Sequence, residues 1–235
     1  MATRERIVEA AAELLAAGGR EAVSTRAVSA AAGVQAPTIY RLFGDKQGLL
    51  DAVAGNGIAE YLHSKTVHDP DPDPVADLRR GWDLHVGFGL AHPALYALVF
   101  GEPRPGAESP AERQSAAVLA GIIRRVAEAG RLRVSEERAA HLVHSTGRGI
   151  TLTLIGMAPE QRDPTLSEFA RESVITAITT DGPGRTEAGT GPVATAVTLR
   201  ALLPELTVLT DAERGLLREW LDRVAVEGRA ASRAS

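Results

Sequence analysis

Between residues 26 and 46 the chain gathers side chains of the kinds that hold phosphate oxygens and read base edges. Thr38 and Tyr40 offer hydroxyls, and Lys46, at a helix start, offers a compact cation; hydroxyls, cations and helix N-terminal amides are the groups that grip a phosphate backbone. Gln35 can pair bidentately with adenine, Ala36 and Pro37 can touch a thymine methyl, and Arg26 can reach a guanine or a phosphate. Arg41 suits either role. Taken singly, Tyr40 also reads as a core aromatic, Lys46 as a solvated charge and Gln35 as a loop residue. Their joint spacing favours contact with double-stranded DNA.

A second set suits a small-molecule effector. Trp82, His85, Phe88, His92, Tyr96 and Phe100 lie on two adjacent helical stretches, and His141, His144 and Arg148 share one face of a later one. Apolar walls with a few polar groups make a ligand pocket, although core packing with surface histidines explains the same residues. His141 and His144 could join His85 or His92 around a metal, but no carboxylate at matching spacing supports this, so no metal and no cofactor are expected. The chain has no cysteine, which excludes disulfides, a thiol nucleophile and cysteine-ligated clusters. It also lacks a Gly-rich phosphate loop, a nucleophile elbow and a His-Glu-x-x-His metalloprotease motif, so the expectation is that it is not an enzyme. The carboxylate pairs Glu136-Glu137 and Asp71/Asp73 sit at a helix start and in a proline connector, where capping and solvation account for them.

These residues must be positioned by helices. In 235 residues the composition is 44% hydrophobic but only 4% aromatic, rich in Ala, Leu, Arg and Glu, and no strand-like alternation persists. An all-α fold follows. Ile7, Ala11, Leu14 and Leu15 mark a first amphipathic helix over residues 4–17, stopped by Gly18-Gly19. Ser24 caps a second over 25–32 that buries Ala27, Val28 and Ala31, and Pro37 opens a third, about 36–43, with Ile39, Leu42 and Phe43 facing the core. A fourth leaves from Lys46, capped by Asp45 and weakened by Gly55 and Gly57. The run His68–Pro74 is a stiff connector. Helical patterns follow over 74–91 and 93–100, with a loop at 101–106, then from Pro110 to Gly130, about 135–157 and 164–180. Residues 181–192 read as a flexible loop, two further helices follow, and Thr210 with Glu213 forms a capping box for the second. No apolar run is long enough to span a bilayer, so a cytoplasmic protein without a membrane partner is expected.

Two short helices separated by Gly33-Val34-Gln35, braced by the first and followed by the fourth, match a helix-turn-helix whose third helix enters the major groove. The run Gly33-Val34-Gln35-Ala36-Pro37-Thr38-Ile39-Tyr40-Arg41-Leu42-Phe43-Gly44-Asp45-Lys46-Gln47-Gly48-Leu49-Leu50 resembles the signature of tetracycline-repressor-type (TetR family) transcriptional regulators. The resemblance covers about residues 3–52; beyond them it extends to length and helical character. It implies that Thr38, Tyr40 and Lys46 contact phosphates. It also implies a ligand-binding and dimerisation domain, with the helices at 135–157 and 164–180 forming an intersubunit four-helix bundle, and repression relieved by ligand. Gln35 stands where the family usually has Ser, and Pro37 where it often has Gly or Ala, so base preference is this chain's own. The domains expected are 1–50 for DNA binding, 51–228 for ligand binding and dimerisation, and 229–235 as a frayed tail. The alternatives weighed are a helical interaction protein and a metal-responsive regulator.

Charge bears on the assembly. The net charge is −4, yet residues 1–50 carry six Lys and Arg against five Asp and Glu. A head of +1 on a body of −5 binds DNA weakly alone. Two heads in a homodimer, spaced for successive major grooves about 34–36 Å apart, double the phosphate contacts and read a near-palindromic operator.

Overall fold

The computed structural model describes residues 2–66, 70–101, 109–180 and 192–232. The expectations for residues 68–69, for 102–106, for the 181–191 loop and for the last three residues lie outside the described residues. The helices are α1 (Thr3–Ala22), α2 (Thr25–Ala32), α3 (Ala36–Phe43), α4 (Lys46–Thr66), α5 (Pro74–Ala91), α6 (Pro93–Tyr96), α7 (Pro110–Glu128), α8 (Glu136–Gly156), α9 (Leu166–Ile178), α10 (Pro192–Leu202) and α11 (Asp211–Ser232). A π-helical turn, Ala97–Gly101, extends α6. Among the described residues there is no β-strand; Leu132 and Thr179 form an isolated bridge. The fold class is all-α, as the composition indicates.

The chain forms two compact units. The first takes residues 1–69, 83–117 and 148–162; the second takes 70–82, 118–147 and 163–235. In the first unit, Ile7, Ala11 and Leu15 of α1, Val28 of α2, Ile39 of α3 and Leu49, Leu50, Val53 and Ile58 of α4 close one apolar core. Two expectations change here. Leu42 is 37% exposed and leaves the α3 core face to Ile39 and the half-buried Phe43, which Arg4 covers at 5.2 Å from the ring centroid. Ala32, not Ala31, shares the buried face of α2 with Val28. The reason is that an eight-residue helix buries about one side chain per turn, so a single step in phase decides which neighbour is covered.

The Gly18-Gly19 pair stops the helical run of α1 where the sequence places the stop: both residues leave helical geometry, Gly19 with a positive φ of 67°, and only a short turn follows to Ala22. Gly57 does not interrupt α4; a Cβ there would lie 2.4 Å from Leu95, so its absence admits that side chain. Caps form where the sequence places them. Ser24 Oγ accepts from the Ala27 amide at 3.1 Å, and Asp45 Oδ1 accepts from the Gly48 amide at 2.7 Å. The reciprocal boxes Ser109–Glu112 and Thr210–Glu213 open α7 and α11.

In the second unit the proline connector is pinned rather than solvated. Asp77 is buried and binds both Arg80 and Arg125, and its Oδ2 accepts from the Asp71 amide at 3.0 Å. Asp73 caps α5 through the Val75 amide and pairs with Arg131. Glu136 and Glu137 likewise have a partner, Arg200 of α10, at 3.3 and 2.8 Å. Ala196, Leu203 and Leu221 form the core between α10 and α11.

Gly48 packs against backbone. A Cβ at this position would meet the Phe43 carbonyl oxygen at 2.0 Å. Gly48→Ala is expected to cost about 1–3 kcal/mol, as overpacking generally does, read as a lower urea midpoint at unchanged slope.

Candidate nucleic-acid interface and effector site

The turn between α2 and α3 is set by Gly33, whose φ of 62° and ψ of 41° are left-handed. The Val34 amide donates to the Ser29 carbonyl at 3.0 Å, which closes the end of α2 and reverses the chain within three residues. Gln35 then occupies the N-cap of α3, and its side chain makes no capping hydrogen bond. Ile39 is 1% exposed and anchors α3 to the core. Around that anchor Gln35, Pro37, Tyr40 and Arg41 are exposed, and Ala36 and Thr38 are half-buried. Tyr40 is 51% exposed, so its reading as a core aromatic does not hold; its hydroxyl lies 3.5 Å from Thr25 Oγ1. Arg26 on α2 and Lys46 at the first turn of α4 are exposed, and with Arg41 they make no ion pair with another described residue. The structure therefore brings all eight predicted contact residues onto one helix-turn-helix and the start of the helix after it.

The predicted effector residues divide. His85, Phe88, His92, Tyr96, Phe100 and Arg148 belong to the first unit, whereas Trp82, His141 and His144 belong to the second. There Trp82 Nε1 donates to Ser167 Oγ at 3.0 Å, and His141 and His144 line a shallow surface depression with Ser135, Arg138 and Leu142. Among the described residues no group of three His, Asp or Glu side chains is placed to hold a metal ion.

In the first unit the rings pack closely. Tyr61 stacks on Phe88 at 4.5 Å, and Tyr96 lies 4.8 Å from Phe100. His85 sits between two phenols, with Nδ1 3.0 Å from the Tyr61 hydroxyl and Nε2 2.7 Å from the Tyr96 hydroxyl. A neutral imidazole has one donor and one acceptor nitrogen, so it donates to one phenol and accepts from the other. The chain of hydrogen bonds continues to Ser115 from Tyr61 and to Thr151 from Tyr96. Beside this cluster a cleft of about 290 Å³ opens between Ala12, Leu15 and Ala16 of α1, Val53 and Asn56 of α4, and the α5–α6 corner at His92–Leu95. Thus His92 edges a cavity, while Tyr96 and Phe100 are fully buried.

Sequence reasoning missed Tyr61. It lies one helical turn after Ile58 on the apolar face of α4, and a phenol there was the available signal. Ser115, Thr151 and Asn56 reach the site from distant parts of the chain and carry no local signal.

Residues 7–53 match the family model for bacterial regulatory proteins of the tetR family. No curated protein matches the chain. Among solved structures, a protein of unknown function from Rhodococcus sp. RHA1 is similar, with a TM-score of 0.65 and 24% identity over 77% of this chain and 97% of that one. The regulator FadR from Bacillus subtilis, in complex with stearoyl-CoA, follows at 0.61 and 18%, over 74% and 98%. A bacterial regulatory protein in the tetR family from Rhodococcus RHA1 gives 0.57 and 23%, over 77% and 100%. At these identities the likeness is one of fold.

Burial disfavours the phenolates. It pushes Tyr61 far above its usual range, and it pushes Tyr96 up to about 12 against the opposing pull of the Thr151 hydrogen bond and the Arg148 charge. The unfolded chain ionises these phenols near 10. Their contribution to stability is therefore complete below about pH 10 and falls as pH rises toward about 12. Urea midpoints are expected to drop across that window. At about pH 11, phenolate absorbance from Tyr61 and Tyr96 should stay low while the chain is folded and rise when urea unfolds it.

Proposed function

Residues 7–53 match the tetR family of bacterial regulatory proteins, and from that premise we propose that the chain is a member of it, a ligand-responsive transcriptional repressor acting in the cytoplasm and not an enzyme. It binds a near-palindromic operator as a homodimer and is released by a small-molecule effector. The observation that carries the DNA reading is the division of α3, in which Ile39 alone is buried and Gln35, Pro37, Tyr40 and Arg41 remain exposed. In this reading Thr38, Tyr40 and Lys46 hold phosphates, Gln35, Ala36 and Pro37 read bases, and Arg26 and Arg41 add charge.

The dimer is supported by apolar side chains left in water. Phe169 on α9 is 74% exposed and Leu142 on α8 is 39% exposed. Exposed apolar faces of this kind on two helices are what a four-helix bundle between subunits would bury. Effector binding is supported by the first unit, where His85, Phe88, His92, Tyr96, Phe100 and Arg148 share a body with the helix-turn-helix. One helix joins the two features: α4 places Leu49 and Leu50 in the core under α3 and Tyr61 against His85. A ligand that displaces the aromatic cluster thereby moves α4 and the spacing of the two recognition helices. Tenfold release asks for about 1.4 kcal/mol of ligand preference for the non-binding state. That a protein of similar fold, FadR from Bacillus subtilis, is in complex with stearoyl-CoA supports an organic effector.

Selection of bound duplexes from a random pool is expected to return a two-fold symmetric consensus, and an unenriched pool would overturn the reading. Lys46→Ala should weaken binding to all sequences and reduce the salt slope by about one, whereas Gln35→Ala should relax preference at one position of each half-site.

A further inference from the structure

α11 carries a stripe that nothing in its own unit covers. Leu216, Trp220 and Val224, at i, i+4 and i+8, are 48%, 49% and 39% exposed. The neighbouring face is fully used: Leu217 and Leu221 pack with Ala196 and Leu203, and Asp222 turns to Arg200, whose Nε lies 2.5 Å from its Oδ1 without in-line hydrogen-bond geometry. The rotation of α11 is thereby fixed, and the stripe cannot roll inward. A half-exposed tryptophan flanked by leucine and valine is a feature of contact surfaces, where Trp is enriched and Leu and Val fill in around it.

We propose that this stripe pairs with the same stripe of a second copy, α11 against α11, antiparallel and centred on Trp220. The flanking charges select both occupant and direction. Glu219 and Arg223 lie along one edge of the stripe, are exposed, and make no ion pair with another described residue. In a parallel self-pair the two-fold axis runs along the helices, so the Glu219–Arg223 edge of one copy lies against the opposite edge of the other, that of Leu217 and Leu221, and the two charges meet no counter-charge. In an antiparallel pair centred on Trp220 the same edges meet with direction reversed, and Glu219 of one copy comes alongside Arg223 of the other, about 3 Å apart along the axis at 1.5 Å per residue. Three side chains are too few to hold a dimer alone, since a stable interface buries about 800 Å² per partner. The inference therefore rests on the homodimer reading and adds to it a contact from α11.

The natural chain has no cysteine, so a single introduced thiol reports one position. Trp220→Cys places that thiol on the proposed two-fold axis, and Arg218→Cys places it on the far side of α11 as a control for collision. Under mild oxidation at ~10 µM chain, the covalent dimer is expected to form about a hundredfold faster from Trp220→Cys, the ratio of a millimolar effective concentration to the bulk one. Adding Glu219→Arg to Trp220→Cys should slow crosslinking, and adding Arg223→Glu as well should restore it. Equal rates from the two single-thiol variants, or charge reversal without effect, overturn the pairing. If Trp220→Cys does not crosslink while sedimentation shows a dimer, the α11 pairing falls and the homodimer stands. If sedimentation shows a monomer, both fall.

Discussion

Eight residues of helix do not hold themselves together in water; the cost of nucleating a helix exceeds what so few backbone hydrogen bonds return. Both α2 and α3 are of this length, so their existence depends on the core beneath them. Val28 and Ile39 insert into a surface made by Ile7, Ala11, Leu49 and Leu50. Burying a side chain such as Ile39 is worth about 1.5–3 kcal/mol, which is the scale needed to fix α3 in place. This single anchoring has a functional consequence. With Val28 and Ala32 buried on α2 and Ile39 alone on α3, most remaining positions are free of core packing, and among them are those that carry hydroxyl, amide and cationic side chains.

The same core extends along α4 into a polar cluster. His85, Tyr61 and Tyr96 are surrounded by Phe88 and Phe100, where a missing hydrogen bond would cost more than the bond itself contributes. The two phenols satisfy both imidazole nitrogens, and Ser115 and Thr151 close the ends. These directional hydrogen bonds tie α4 to the rings of α5 and α6, which is the contact on which the proposed coupling rests.

Charge is arranged on a similar economy. Asp77, Asp73, Glu136 and Glu137 are occupied by Arg80, Arg125, Arg131 and Arg200 in the second unit. Arg26, Arg41 and Lys46 make no ion pair with another described residue. A net charge of −4 thus coexists with a locally cationic face, because the excess of acidic residues lies outside residues 1–50.

The sequence by itself determined the all-α class, the order of the helices and the helix-turn-helix, because these follow from local signals: caps at Ser24, Asp45, Ser109 and Thr210, breaks at Gly18-Gly19 and Gly33, and apolar spacing between them. It also placed the candidate DNA contacts, since they all fall within about twenty residues of one another. Tertiary structure decided the rest. It left Leu42 exposed, made Gly57 a seat for Leu95, and bound Asp71 and Asp73 into an arginine cluster. It assigned Trp82, His141 and His144 to the second unit and brought Tyr61, Ser115 and Thr151 to the ring cluster of the first. Those outcomes depend on which surfaces meet across tens of residues, and helical periodicity states only that a face is apolar, not what it will face.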